Sequence, residues 1–468
     1  SWTAWPFFVA VMAVMLTLTV GVGGVIQAPL EVLAQAVFVD GLDRALQWMA
    51  SPSWLRMLLC DGIGQGVVLS IVFLPVLMGL FFSLAILEQS GYMIRVAVIT
   101  DALMARLGLP GRSCVAMLLG LGCNVPAVMA TRTLASKRDR VVTALMVPFM
   151  SCTARLAIYA VFAAAFFPHA VHWVVLFLYL LGLLCALLTA WVLKGTLLPS
   201  DDEPMVIELT AYQWPRLSWV LKTVMKRSWG FVKRMVVYVV PVSVGFAMLT
   251  RWQFVGGGVI DAAAEGSLAA HWAHGVMPLF APMGIDAQNW SAVVALFTGA
   301  VAKEVVLGTL SQLYQVDGVV AHVQTWTEAL HQAGALWVSG WFDFWQALRH
   351  PIATLSAMHV GDDGLSSALW HHFHHKSAAL AYLVFILLYL PCLSTFFAID
   401  RECGRRWAFG SFIWSLTLAY AMAVSIYQIG QGRGVYVLLA WGSLGLIVWS
   451  FIRVRPAKMR NWAPVSSC

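Results

Sequence analysis

Charge is what this sequence has least of. Asp, Glu, Lys and Arg make up 11% of its 468 residues, against roughly 25% in soluble domains. That excludes a soluble enzyme, because too little polar surface remains to face water. Cysteine is also sparse. The eight cysteines fit neither a zinc ribbon nor a CxxC redox pair, and Cys123, Cys152 and Cys392 lie inside apolar segments, so no disulfide framework is expected. There is no GxxxxGK[ST], and so nothing here to cradle the phosphates of GTP. HExxH, GxGD and GxSG are missing too, which removes the common intramembrane hydrolases. No cleavable signal peptide is visible. The chain starts at Ser1 without Met and enters an apolar run almost at once, which is expected of a piece of a longer protein.

What the sequence has in excess is apolar length. Hydrophobic residues make up 60%, and mean hydropathy is +0.80. Runs long enough to cross a bilayer are expected at about 6–26, 63–88, 141–167, 173–193, 232–250, 377–398, 408–428 and 432–452. Two further apolar stretches, at about 114–131 and 291–310, are interrupted. The first reads Gly120-Leu-Gly122-Cys123-Asn124-Val-Pro126, and the second carries Lys303 and Glu304. A bilayer tolerates such breaks only where protein or a water-filled cavity surrounds them. The expected fold class is an all-α integral membrane helix bundle, with about eight full spans and two broken, re-entrant helices.

Loop charges orient this arrangement. The net charge of +7 does not call for nucleic acid, because the basic residues gather in short loops. The loop at 89–112 holds Arg95, Arg106 and Arg112, and the next holds Arg132, Lys137, Arg138 and Arg140. Residues 194–235 hold Lys222, Lys226, Arg227, Lys233 and Arg234. Re-entry of 114–131 places all of these inside, with both termini, and all 12 histidines then fall outside. The two broken segments enter from opposite faces, the inverted-repeat plan of many secondary transporters. A faint internal repeat relates residues 103–134 to 279–310.

The expected units are 1–62, a first span with an outer amphipathic segment; 63–193; a basic cytoplasmic connector at 194–235; 236–312; a His-rich, irregular outer loop at 313–376; and a three-span region at 377–468.

A permeant cation needs ligands at membrane depth. Pro126, Pro148 and Pro391 break helices and free carbonyls, and a cysteine lies within four residues of each: Cys123, Cys152 and Cys392. Soft sulfur beside carbonyl oxygen suits a borderline first-row ion better than Mg(II) or Na(I). Cys123, after the break at Gly120 and Gly122, is expected at the centre. The bland reading is that each cysteine is a small buried hydrophobe. Asn124, Ser151 and Glu304 are further candidates for the path, and Glu88, Arg132, Arg155 and Lys303 are supporting charges. Arg155 can also be read structurally, paired with Glu304 or Glu88. The histidines of 371–375 can bind metal or form an ordinary solvated loop.

At these residues the sequence resembles the FeoB family of bacterial ferrous-iron transport proteins. The matching stretches are Leu87-EQSGY-Met93, Gly120-LGCNVPAVMATRTL-Ala135, Pro148-FMSCTARLAIYAVFAAAFF-Pro168, Leu296-FTGAVAKEVVLGTL-Ser311 and Leu388-YLPCLS-Thr395. The resemblance implies two Gate domains, of which 63–193 and 236–312 would be the counterparts. It implies Fe(II) import across a bacterial inner membrane and a preceding domain that binds GTP and Mg, absent from this chain. Small cytoplasmic Feo accessory proteins and further copies of the chain are the implied partners, besides the lipid bilayer. The sequence departs from the family at Gln89, where an Asp is common, and in its His-rich outer loop. The alternatives are a Gate-type transporter of another divalent metal or a nucleoside, and a non-transporting membrane scaffold.

Overall fold

The computed structural model describes residues 4–106, 108–134, 136–196, 212–255, 258–261, 267–286, 288–301, 303, 305–314, 326–349, 363–432, 441–442 and 445. These are almost entirely helical. Helix α1 (Ala4–Gln35) passes through a π-helical stretch into α2 (Leu42–Trp48), and α3 (Ser53–Arg56) leads to α4 (Gln65–Val72) and α5 (Leu74–Gln89). There follow α6 (Tyr92–Arg106), α7 (Gly111–Gly120), α8 (Asn124–Ala130), α9 (Lys137–Met146), α10 (Thr153–Phe166), α11 (Val171–Thr196) and α12 (Leu217–Arg251). A small antiparallel hairpin, β1 (Trp252–Val255) and β2 (Gly258–Asp261), sets Trp252 opposite Asp261. The rest are α13 (Leu268–Phe280), α14 (Trp290–Val301), α15 (Val305–Leu313), α16 (Trp326–Arg349), α17 (Asp363–His372), α18 (Lys376–Leu388), α19 (Leu393–Cys403) and α20 (Arg405–Gly430).

Among the described residues, six helical stretches are long and apolar enough to cross a membrane: Gly21–Trp48, Trp54–Gln89, Lys137–Phe166, Val171–Lys194, Lys376–Cys403 and Arg405–Gly430. Water does not drive such helices together, so close approach and interhelical hydrogen bonds must. Small residues provide the approach. Ala378, Ala379 and Ala381 of α18, and Ala419, Ala421 and Ala423 of α20, are all buried where these two helices pack together.

The interrupted helices fall into two kinds. Helices α7 and α8 fold back and pack on one another, and so do α14 and α15. Across the breaks α9 to α10 and α18 to α19, the halves touch little and carry on as interrupted spans. The same order thus occurs twice: a hairpin, an interrupted span, then an unbroken helix, α11 or α20. With 10 residues in α7 and 12 in α14, the hairpin breaks lie about 15 and 18 Å from their open ends. That is about half of a 30 Å hydrocarbon layer. Both units share one core, in which Phe149, Tyr159, Phe162, Phe166, Phe373 and Tyr382 are buried together.

Several expectations need correction. Residues 89–112 are not a loop, since α6 occupies most of them. The connector at 194–235 is helical from Leu217, where its basic residues ride on the first half of α12. The first span does not stop near residue 26, because α1 runs on to Gln35. The outer loop is not irregular throughout. Helix α16 lies antiparallel along α1, with Gly21 against Phe344 and Gly340 against Val25. Loop charge could not reveal these helices, because amphipathic helices carry charge as readily as loops do. Glu304, and most of the span expected at 432–452, lie outside the described residues.

Candidate functional site

All three singled-out cysteines occupy the same kind of position. Cys123 (φ −153°, ψ 131°) is the N-cap of α8, Cys152 (φ −81°, ψ 166°) of α10, and Cys392 (φ −56°, ψ 151°) of α19. Each is extended, and each starts the second half of an interrupted helix. Their carbonyls are committed to the helices they cap: Cys152 O accepts from Arg155 N at 3.1 Å, and Cys392 O from Thr395 N at 2.8 Å. The sulfur atoms stay at the breaks. Cys392 Sγ lies 3.0 Å from Thr395 Oγ1.

The first break is tight. A Cβ on Gly122 would lie 2.6 Å from Leu80 Cδ1, and one on Gly120 would lie 3.0 Å from Met150 Cβ. Pro126 is the third residue of α8, where a missing N–H breaks no intrahelical bond. Asn124 is buried, and its amide nitrogen donates to Gly120 O at 3.1 Å and Val147 O at 3.3 Å. One side chain thereby joins the hairpin break to the break of the adjoining span.

That second break is a 3-10 turn, Val147–Phe149, followed by extended Met150. Arg155 is 1% exposed. Its Nη1 donates to Pro148 O at 2.9 Å and Met150 O at 3.1 Å. Ser151 is buried, with Oγ 3.4 Å from Tyr159 OH. In the second unit Lys303, 3% exposed, sits at the break of α14 and α15. Its Nζ donates to Leu390 O at 2.9 Å and lies 3.5 Å over the Tyr389 ring. Tyr389 OH donates to Leu296 O at 3.0 Å. Several carbonyls near the breaks are therefore already taken, although those lying four residues before Pro126, Pro148 and Pro391, which the prolines were expected to free, are not among them. Asn124, Arg155 and Lys303 bond five carbonyls there, as buried polar groups require.

The breaks converge. Lys303 Nζ reaches Leu390 O, two residues before Cys392, from the break of the second hairpin. Helix α10 packs on α18, and α8 on α19. The interrupted spans that carry Cys152 and Cys392, one in each unit, thus pack together, and Cys123 heads the half-helix that packs on α19. Among the described residues no three His, Cys, Asp or Glu side chains already form a metal cage.

Two predicted charges lie at the periphery. Glu88 Oε2 pairs with Arg227 Nη2 at 3.0 Å, so it is not the partner of Arg155. Arg132 grips Glu402 with two bonds, one from Nε at 2.6 Å and one from Nη2, tying the end of the first hairpin to the end of α19. That bond holds the Arg132 guanidinium above its usual range. Sequence reasoning did not single out Tyr389, Thr395, Gly182 or Glu402. Tyr389 and Thr395 flank Pro391-Cys392 and could have been read from that proximity. Gly182, pressed against Phe149 O, sits in a run of leucines that gives no signal.

Comparison with known proteins agrees with this geometry. A family model described as Gate, nucleoside recognition, matches residues 70–166 and 232–406. A second, described as ferrous iron transport protein B C terminus, matches residues 175–227. The chain is 40% identical over 430 residues to the Fe(2+) transporter FeoB of Legionella pneumophila strain Philadelphia 1, covering 91% of this chain and 57% of that protein. It is 37% identical over 435 residues to the FeoB of Escherichia coli K12, covering 91% and 56%. For the FeoB of Salmonella paratyphi A the identity is 36% over 433 residues, covering 91% and 56%. The chain spans a little over half the length of these curated relatives. No solved structure matches it.

Proposed function

This chain belongs to the ferrous iron transport protein B family, and from that premise we propose that it forms the membrane pathway by which Fe(II) enters the cell. The observation that carries the reading is the packing of the two interrupted spans on one another, α10 on α18, with Cys152 and Cys392 at their breaks. Each unit contributes one thiol, and each thiol stands at the break of an interrupted span.

The surrounding charges favour sulfur as the working ligand. Arg155 and Lys303 are buried cations that hold break carbonyls, and they repel an entering cation. Two thiolates would cancel that repulsion. Fe(II) stands low in the Irving–Williams order, so a site for it must select by ligand type and geometry rather than by raw affinity. A transport site must also release its ion, which a few thiols permit and a closed cage does not. Cys123, Asn124, Ser151 and Glu304 complete the proposed path.

In the wider arrangement there are eight spans, and the two hairpins enter from opposite faces of the bacterial inner membrane. Both termini are cytoplasmic. GTP and Mg act through a domain outside this chain. Small cytoplasmic Feo proteins and further copies of the chain are its proposed partners.

The test is Fe(II) flux into proteoliposomes under reducing conditions. Cys152→Ser, Cys392→Ser and Cys123→Ser should each lower flux at unchanged protein level. Serine at Cys60, Cys114, Cys185 or Cys403 should not. Parent-rate flux in all three path variants would remove the thiol pathway. Nucleoside uptake without Fe(II) flux would favour the function described for the Gate family model instead.

A further inference from the structure

The open end of the α14–α15 hairpin carries groups that the thiol pathway does not use. Helix α17 ends in His371 and His372, and Phe373, His374 and His375 lead into α18. The aromatic residues of this turn anchor it, Phe373 by burial and Trp370, itself partly exposed, by a hydrogen bond. Phe373 is buried and meets Phe162 edge-on at 5.7 Å, and Trp370 Nε1 donates to Ala165 O at 2.7 Å. The turn is also fixed from the hairpin side. Asn289 Nδ2 donates to His372 O at 3.2 Å, Tyr314 OH donates to Asn289 Oδ1 at 2.8 Å, and the His372 ring stacks on Tyr314 at 4.1 Å.

These anchors leave histidines outside. His371, His374 and His375 are exposed. His374 Nε2 lies 3.8 Å from Asp286 Oδ2, which comes from the loop before α14, and the rings of His371 and His372 are 5.4 Å apart. Trp370 and Phe373 do the packing, so folding does not require this density of imidazole. The backbone under it is tied to the protein by Asn289 and Trp370, and such preorganisation lowers the entropy lost on binding.

We propose that this turn is a loading site for a divalent first-row transition ion, with His374 and Asp286 as its paired ligands and His371 as the third. Imidazole and carboxylate together suit Fe(II), Mn(II), Co(II) and Zn(II) and discriminate against Na(I). Among the described residues no three such groups converge yet. Such a site requires that the exposed His371 and His374 side chains turn toward Asp286. A site of few, exposed ligands binds loosely, as a loading site must. The role as a loading site rests on the transport reading above, because an ion held here stands at the head of a hairpin whose break lies about 18 Å further in.

The test uses the full chain and two readouts. In detergent micelles, Co(II) titration followed by visible absorbance should show an ion bound by nitrogen and oxygen. His371→Ala/His374→Ala/Asp286→Asn should abolish that signal, and Cys152→Ser/Cys392→Ser should leave it. In proteoliposomes the triple variant should raise the KM for Fe(II) about tenfold, roughly 1.4 kcal/mol, with kcat within about twofold of the parent. Size-exclusion chromatography checks that the triple variant folds, and His374→Gln, closer in size to the parent residue, repeats the test with less disturbance. An unchanged Co(II) signal overturns the site. Loss of the signal with an unchanged KM overturns its loading role. Parent flux in the cysteine variants would strike the thiol pathway and leave the Co(II) result standing by itself.

Discussion

In the first unit, hairpin α7–α8, interrupted span α9–α10 and helix α11 follow one another closely. In the second, residues 314–375 stand between hairpin α14–α15 and interrupted span α18–α19. The polar anchors follow the same division. Asn124 and Arg155 reach acceptors between Gly120 and Met150, all within the first unit. Lys303 reaches Leu390, across the whole segment between hairpin and interrupted span. The first unit can therefore close on its own contacts, whereas the second closes only when distant segments meet. The first break is also held by more bonds. On the transport reading proposed above, Cys152 and Cys392 belong to one wall of the pathway each, and the wall with more local anchors is expected to be the stiffer.

The largest expected effect is on the stiff wall. Arg155→Met removes two charge-assisted bonds, each worth about 1.5–3 kcal/mol, and should give the largest fall in unfolding temperature of the purified protein. Next comes Lys303→Met, which removes one such bond and the contact with the Tyr389 ring. Its loss of stability should be about half as great, with Fe(II) flux altered in the protein that remains. A greater destabilisation from Lys303→Met than from Arg155→Met would reverse the comparison.

Gly182→Ala sharpens it further. The new Cβ would lie 2.6 Å from Phe149 O. Backbone cannot turn aside as a side chain can, so the cost should be about 1–3 kcal/mol. Gly410→Ala meets nothing within 4 Å and serves as the neutral control in the same thermal scan.

The smallest effect belongs to the link between the units. Arg132 is half exposed while Glu402 is 5% exposed, so Arg132→Ala leaves a mostly buried carboxylate short of a partner and should cost about 1 kcal/mol, the upper end for a surface pair. The charge-swapped pair Arg132→Glu/Glu402→Arg should recover part of that. No recovery would mean that the bidentate geometry, rather than the charge, matters at this contact.

Much of this was legible in the sequence because it depends on local chemistry. Apolar length announces spans, since a bilayer demands internally bonded helices of a set reach. Glycine, proline and cysteine clustered at 120–126, 148–152 and 391–392 announce breaks, since each residue type alters backbone options where it stands. Family membership was legible for the same reason, through GCNVPA and PFMSC. The fate of the break carbonyls was not. Proline shows which carbonyls lose an intrahelical donor, and it does not show that Arg155 or Lys303 will take others nearby. Helix α16 was hidden because its charged residues resemble those of a loop until α1 is seen lying beside it.

The sequence by itself determined that this is a membrane helix bundle with thiols at its interruptions, because burial in lipid and helix breaking are properties of short stretches. Only the tertiary structure decided that the interrupted spans bearing Cys152 and Cys392 pack together, that Glu88 belongs to Arg227, and that a histidine turn stands over the second hairpin. Such pairings join residues tens to hundreds of positions apart. They are set by which helices pack side by side, and no local pattern of residues carries that information.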